Sequence, residues 1–283
     1  MKIKNLFIGL GMVCLTKSAM AQGLEGIIVE RYYQADATDA QYTSDQGYTN
    51  PLTAGAVTYR VYVDMAAGYK FVQMFGTPSK NLLFNTTTNF YNDENYDSQT
   101  GPTTSVINTK KHTAMLDSWI TAGGAAGSKV GVPKDEDTDG SIANPHTNGL
   151  LNNNPGGCFG FGVVGASGKD GMLPSSASTY TAPNVLGMGG TILDALVAGN
   201  ALSSITVSNG SIAALGGIVG ATSSNKVLIG QFTTSGTFTF SINVQLLSPT
   251  GTAENYVYGT PGAGQLTNAT LVRTAPAAPA VAI

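Results

Sequence analysis

Apolar and polar residues alternate with a period of two along several stretches of the chain. Each such stretch predicts a strand with one buried face. Val57, Tyr59, Val61 and Val63 alternate with Thr58, Arg60, Tyr62 and Asp64. Near the C-terminus, Phe238, Phe240, Ile242, Val244 and Leu246 alternate with Thr237, Thr239, Ser241, Asn243 and Gln245. The apolar set is expected on a core and the hydroxyl and amide set in water. Lys226 to Thr234 (KVLIGQFTT) reads as the preceding strand, and Ser235-Gly236 as a tight turn, so the pair predicts a hairpin. Further strands are expected at Gly26 to Tyr33, Lys70 to Phe75, Leu82 to Thr88, Thr113 to Thr121, Ser204 to Ser208 and Ser211 to Val219. Many short strands with Gly, Pro and Asn punctuation predict an all-β fold, a β-sandwich or jelly roll with little helix.

Helical signal is weak. Leu193 to Leu202 predicts a short helix interrupted at Gly199-Asn200, and Asp36 to Gln41 a single turn. From Gly123 to Gly190 the pattern fades. This stretch holds 16 of the 36 glycines and predicts long central loops. Thr274 to Ile283 (TAPAAPAVAI) predicts an extended or disordered Pro/Ala segment. The expected organisation is a leader at 1–21, one sandwich domain at 22–272 and a tail at 273–283. No internal repeat is evident.

The leader changes what the remaining residues mean. Lys2 and Lys4 precede an apolar stretch from Leu6 to Leu15, and Ala19-Met20-Ala21 forms a small-x-small cleavage site before Gln22. That is a secretory signal, and it places the protein outside the cell or on its surface. The competing reading, a lipoprotein signal acylated at Cys14, is disfavoured by Val13, where a small residue is normally required. No later stretch is long and apolar enough for a membrane helix. Removing the leader removes three lysines and leaves 11 basic against 17 acidic residues, net −6. So acidic a chain, poor in Lys and Arg, is a poor candidate for nucleic acid or anionic lipid. Only Cys158 then remains, so no internal disulfide forms and stability must come from packing. From Ala195 to Ile283 there are three charges: Lys226, Glu254 and Arg273. Neutral, hydroxyl-rich sheets of this kind tend to associate.

Candidate chemistry is sparse. Asp135, Asp137 and Asp139, followed by Gly140, resemble the opening half of an oxygen-ligand calcium loop. The twelfth position, where a full loop needs an acid, is His146. Calcium is therefore the one cofactor raised, against the alternative of a solvated acidic turn. Asn92-Asp93-Glu94-Asn95-Tyr96-Asp97 is a second acidic cluster in a loop, calcium-linked or simply polar, and is read as polar. His112 and His146 are the only histidines, no G-x-S-x-G elbow is present, and Gly168-Lys169 lacks the rest of a phosphate loop. Zinc ligands are too few. Paired carboxylates for glycoside hydrolysis depend on spatial pairing and stay open.

Nine of the 12 tyrosines lie between Tyr32 and Tyr96. Tyr62 falls on the polar face of its strand, where an exposed ring beside Asn and Asp suits the apolar face of a sugar. Trp119 and Cys158 read as buried residues.

Four blocks, GLEGIIVERYY (Gly23 to Tyr33), VTYRVYVD (Val57 to Asp64), LDSWI (Leu116 to Ile120) and KVLIGQFTT, resemble modules in secreted surface proteins of Bacteroidota, cargo of the type IX secretion route. The resemblance implies an extracellular β-rich module and carries no catalytic residue. Such cargo often ends in a C-terminal sorting domain, where this chain has its Pro/Ala segment. Three functional readings follow. The first is a non-enzymatic structural or adhesive protein that self-assembles, with the apolar start Leu24, Ile27, Ile28 and Val29 pairing with a neighbour's sheet edge. The second is a glycan-binding module using Tyr62. The third is a secreted polysaccharide hydrolase.

Overall fold

The computed structural model describes residues 22–95, 97, 99–100, 113–139, 169–187 and 193–275. The expected leader, both histidines, Cys158, Gly140 and the chain after 275 lie outside the described residues.

The strands are β1 (Leu24–Gln34), β2 (Val57–Met65), β3 (Lys70–Gly76), β4 (Leu82–Thr86), β5 (Trp119–Ile120), β6 (Gly124–Ala126), β7 (Lys129–Gly131), β8 (Met172–Pro174) and β9 (Asn184–Leu186). They continue with β10 (Ser204–Val207), β11 (Gly210–Ile218), β12 (Lys226–Thr234), β13 (Phe238–Ser241), β14 (Asn243–Leu247), β15 (Ala253–Tyr256), β16 (Gln265–Leu266) and β17 (Val272–Thr274). The fold is all-β and sandwich-like. Among the described residues the one α-helix, α1 (Ala37–Asp45), replaces the expected single turn. It is longer because Asp36 caps it, accepting from the Thr38 and Asp39 amides at 2.7 and 3.1 Å. Asp39 answers by accepting from the Asp36 amide, a reciprocal cap. At 193–202 only a 3-10 turn at Asp194–Leu196 forms.

The first sheet has the order β1-β2-β12-β5. The second runs β10-β4-β13-β17, the third β16-β15-β14-β3-β11-β9, and a small fourth β6-β7-β8. The second and third share a strand order because the same chain passes through both. β3 leads into β4, β10 into β11, and β13 into β14 after Ile242. Gly76 stands at one of these breaks. A Cβ there would lie 1.9 Å from the Val207 carbonyl oxygen, so no larger residue fits.

The expected hairpin between Lys226–Thr234 and Phe238–Leu246 is not made. β12 pairs with β2 and β5, whereas β13 pairs with β4 and β17. The chain crosses from one layer to the other at Ser235-Gly236. The periodicity survives the change of partner: Phe238, Phe240, Ile242, Val244 and Leu246 are all buried. The stretch expected as a strand at Thr113 to Thr121 is a 3-10 turn followed by the two-residue β5. Arg273 and Thr274, assigned above to the tail, pair with β13 instead.

The main core lies between the first sheet and the second and third. Phe84, Phe90, Phe232, Phe238 and Phe240 stack at its centre, with ring centroids 4.5 Å apart for Phe84 and Phe232 and 5.0 Å for Phe232 and Phe238. The other face of the first sheet is covered as well, by Tyr48 and Leu52 and by Met115, Leu116, Ala125, Ala126 and Met172. Both faces of β2 are therefore buried, where the alternation predicted one.

Candidate functional site

Consecutive threonines at the ends of β4 and β12 build a two-lobed cleft. The larger lobe holds about 460 Å³ and is lined by Val57, Tyr59, Thr87, Thr237 and Thr274, among others. The smaller holds about 170 Å³ against Asn50, Pro51, Thr53, Asn89 and Tyr91. They meet at Thr88, Thr234 and Ser235, which line both. No lining residue of either lobe is charged.

The hydroxyls are pre-positioned by one another. Thr234 Oγ1 lies 2.6 Å from Thr86 Oγ1 and 2.9 Å from Thr88 Oγ1. The Ser235 hydroxyl donates to Thr88 Oγ1 at 3.3 Å, and the Thr237 amide to Thr87 Oγ1 at 2.9 Å. Gly236 makes this approach feasible, since a Cβ there would lie 2.6–2.7 Å from Thr86, Thr87 and Thr88. Asn50 is held through its amide nitrogen by the Phe90 and Asn200 carbonyls, at 3.0 and 3.2 Å.

The ring of Tyr91 is fixed from beneath. Its hydroxyl donates to Asp93 Oδ2 at 3.0 Å, and that carboxylate also accepts from Thr113 Oγ1 at 3.1 Å and from Tyr48 at 3.4 Å. Burial, and then the Asp93 charge, holds the Tyr48 and Tyr91 phenols well above the usual tyrosine range, so both remain donors. Asp93 is therefore a buried acceptor within the polar loop. In the same segment, burial pushes the Asp97 carboxyl up to about 6.

Tyr62 is not on a ligand face. It is fully buried, and its hydroxyl donates to Glu30 Oε2 at 3.2 Å. The reading fails because the layer carrying Met115, Trp119 and Met172 covers the side of β2 that alternation assigned to water. Trp119 is buried, as expected.

Asp135, Asp137 and Asp139 are engaged in different ways. Asp137 is buried, and its carboxylate accepts from the Gly171 amide at 2.9 Å and the Asp139 amide at 3.2 Å. Asp139 pairs with Lys129 at 3.2 Å, while Asp135 is exposed beside the β1 groove described below. Among the described residues, no three His, Cys, Asp or Glu side chains are grouped so as to hold a metal ion.

The four assembly residues divide. Leu24 and Ile27 are core residues, and the backbone around them is already taken. The Ile27 amide donates to Thr270 Oγ1 at 2.8 Å, Arg273 donates to the Ile27 carbonyl at 2.9 Å, and Asn268 to that of Leu24 at 3.2 Å. The chain's own 268–273 segment thus occupies the edge where a neighbour was expected. Ile28 and Val29 are half-buried and border a groove of about 420 Å³ with Pro133, Asp135 and Lys226.

The cleft was missed because its residues come from four separate segments and carry no motif. The only local signals are the Thr-Thr-Thr run at 86–88 and Thr233-Thr234-Ser235. No family model, curated protein or solved structure matches the chain. Among the described residues, no helix is long and apolar enough to cross a membrane.

Proposed function

We propose that the protein is a non-catalytic extracellular adhesive module that holds an uncharged glycan in the two-lobed cleft. One observation carries this reading: the cleft is lined by hydroxyls, amides and small apolar groups and by no charged group, with the Tyr59 and Tyr91 rings buried in its floor. A sugar offers many hydroxyls and apolar ring faces. Such a lining matches both, and its mutually bonded hydroxyls lose little freedom on binding. The secretory leader and the resemblance to Bacteroidota surface modules support an extracellular setting.

The test is an array of neutral and acidic glycans, followed by titration calorimetry. Neutral oligosaccharides bind, and Asn89→Ala with Thr237→Val weakens them at least tenfold without changing the melting temperature. Both side chains are exposed, so the fold is preserved. Binding of acidic glycans alone, or of none, overturns the proposal.

A second reading, self-assembly through side-chain docking in the groove beside Ile28 and Val29 rather than at the occupied 24–27 edge, is favoured by that groove. Light scattering with electron microscopy tests it: Val29→Lys abolishes polymers if the reading holds, and a monomer at high concentration sinks it.

A further inference from the structure

The third sheet carries a feature that the cleft does not use. Its register places one residue from each of six strands in a single transverse row: Asn184, Ala213, Gln73, Gln245, Asn255 and Gln265. Five of the six are amides. Ile212, Met74, Val244 and Tyr256, adjacent to row members in sequence, are buried in the main core, so the row lies on the opposite, outer face. All five amide residues are half-buried. Gln73 Nε2 donates to Gln245 Oε1 at 3.3 Å, and Gln245 Nε2 donates to Asn255 Oδ1 at 2.8 Å. The Gln265 Oε1 accepts from the Gly262 amide at 2.9 Å. A primary amide has two N–H groups and two acceptor lone pairs, so these bonds orient the row and leave hydrogen-bonding capacity along it.

The next row on this face is Leu186, Ser211, Phe75 and Asn243. Phe75 is half-exposed, and Leu186 is 51% exposed. Asn243 is spent on the Phe75 and Lys80 carbonyls at 2.9 Å each. Neither row contains an acid or a base. Asn and Gln are not favoured strand residues, so five in register are not explained by sheet formation.

We infer that this face is a second binding surface, for an extended, uncharged β-linked polysaccharide chain lying across the strands. The absence of charge in both rows gives a polyanion or polycation no partner. Amides at successive strands, about 4.8 Å apart, place one donor–acceptor group near each successive sugar of an extended chain. Phe75 and Leu186 supply apolar contact for ring faces. The surface is separate from the cleft and stands whether or not the cleft binds glycan.

The experiment is native affinity electrophoresis of the full chain through gels containing soluble xylan, mixed-linkage β-glucan or hydroxyethylcellulose. The wild type is retarded in at least one gel. In a chain whose cleft already carries Asn89→Ala with Thr237→Val, Gln73→Ala with Gln245→Ala abolishes the retardation or weakens it tenfold, whereas Gln41→Ala, exposed on α1, leaves it unchanged. Melting curves check that the variants are folded, and Gln245→Glu, close in shape and charged, must act in the same direction. Three outcomes overturn the inference: no retardation of the wild type, equal retardation of the folded double variant, or loss of a dimer by light scattering as the variant's only effect. The last would assign the row to a second copy of the chain.

Discussion

One face of β2 carries Tyr59, Val61 and Val63 into a core of stacked phenylalanines. The other carries Arg60 and Tyr62 into a layer of tyrosines and buried charge. On that side the Arg60 guanidinium stacks 3.5 Å above the Tyr32 ring. It donates to Gln231 Oε1 and to the Gly171 carbonyl, each at 3.0 Å. Lys134 is also fully buried and donates to the Tyr32 carbonyl. Burial raises the Glu30 carboxyl above its ordinary range, opposed by the nearby Lys134 and Arg60 cations. The phenylalanine side depends on volume and area, which are non-directional. The polar side depends on each donor finding its acceptor, since an unpaired buried group costs more than the bond itself contributes.

Substitutions that probe each mode should separate the two faces. The largest effect is expected from Phe238→Ala, which opens a cavity among the stacked rings and lowers the unfolding free energy by about 3–5 kcal/mol in urea titration. Phe238→Leu should recover most of that loss, because shape matters more than pairing. Next comes Arg60→Met, expected to cost about 3 kcal/mol although volume is nearly kept, because it leaves Gln231 Oε1 and the Gly171 carbonyl without their donor and Glu30 with Lys134 alone nearby. If Arg60→Met is neutral while Phe238→Ala is not, the polar side contributes specificity rather than stability. Tyr62→Phe removes a hydroxyl bonded to both Glu30 and Arg60 and should cost about 1–2 kcal/mol. A larger loss would show that the network acts cooperatively.

The smallest effect is one of pH. Asp97 titrates near 6 in the fold against an ordinary value of 3.8. The folded state therefore holds its proton more tightly than the unfolded chain does. Stability falls as pH rises from about 3.8 to about 6 and stays lower above that. Asp97→Asn should raise the melting temperature at pH 7.5 and leave it unchanged at pH 3.5. An equal rise at both values would remove the carboxyl charge as the cause.

Much of the strand inventory was legible in the chain itself. Alternation at 57–64 and 238–246 sets which side chains are apolar, and no choice of partner alters that. It could not show what lies over the polar side. Arg60 and Tyr62 look like water-facing residues, and they are buried because residues 113–137 and 170–173 fold back across the sheet. Asp93 reads as one acid of a polar loop, and its burial comes only when Tyr48, Tyr91 and Thr113 close on it.

The sequence by itself determined the all-β class, the inward set of each long strand and the neutral, hydroxyl-rich character of the C-terminal half. These follow from residue type and a two-residue period, both local. Tertiary structure alone decided that β12 and β13 part company, that Leu24 and Ile27 are sealed by residues 268–273, and that threonines from distant segments form one cleft. It also aligned five amides across six strands. Strand pairing and register join residues far apart in the chain. Their energies depend on the partner met, which no local pattern specifies.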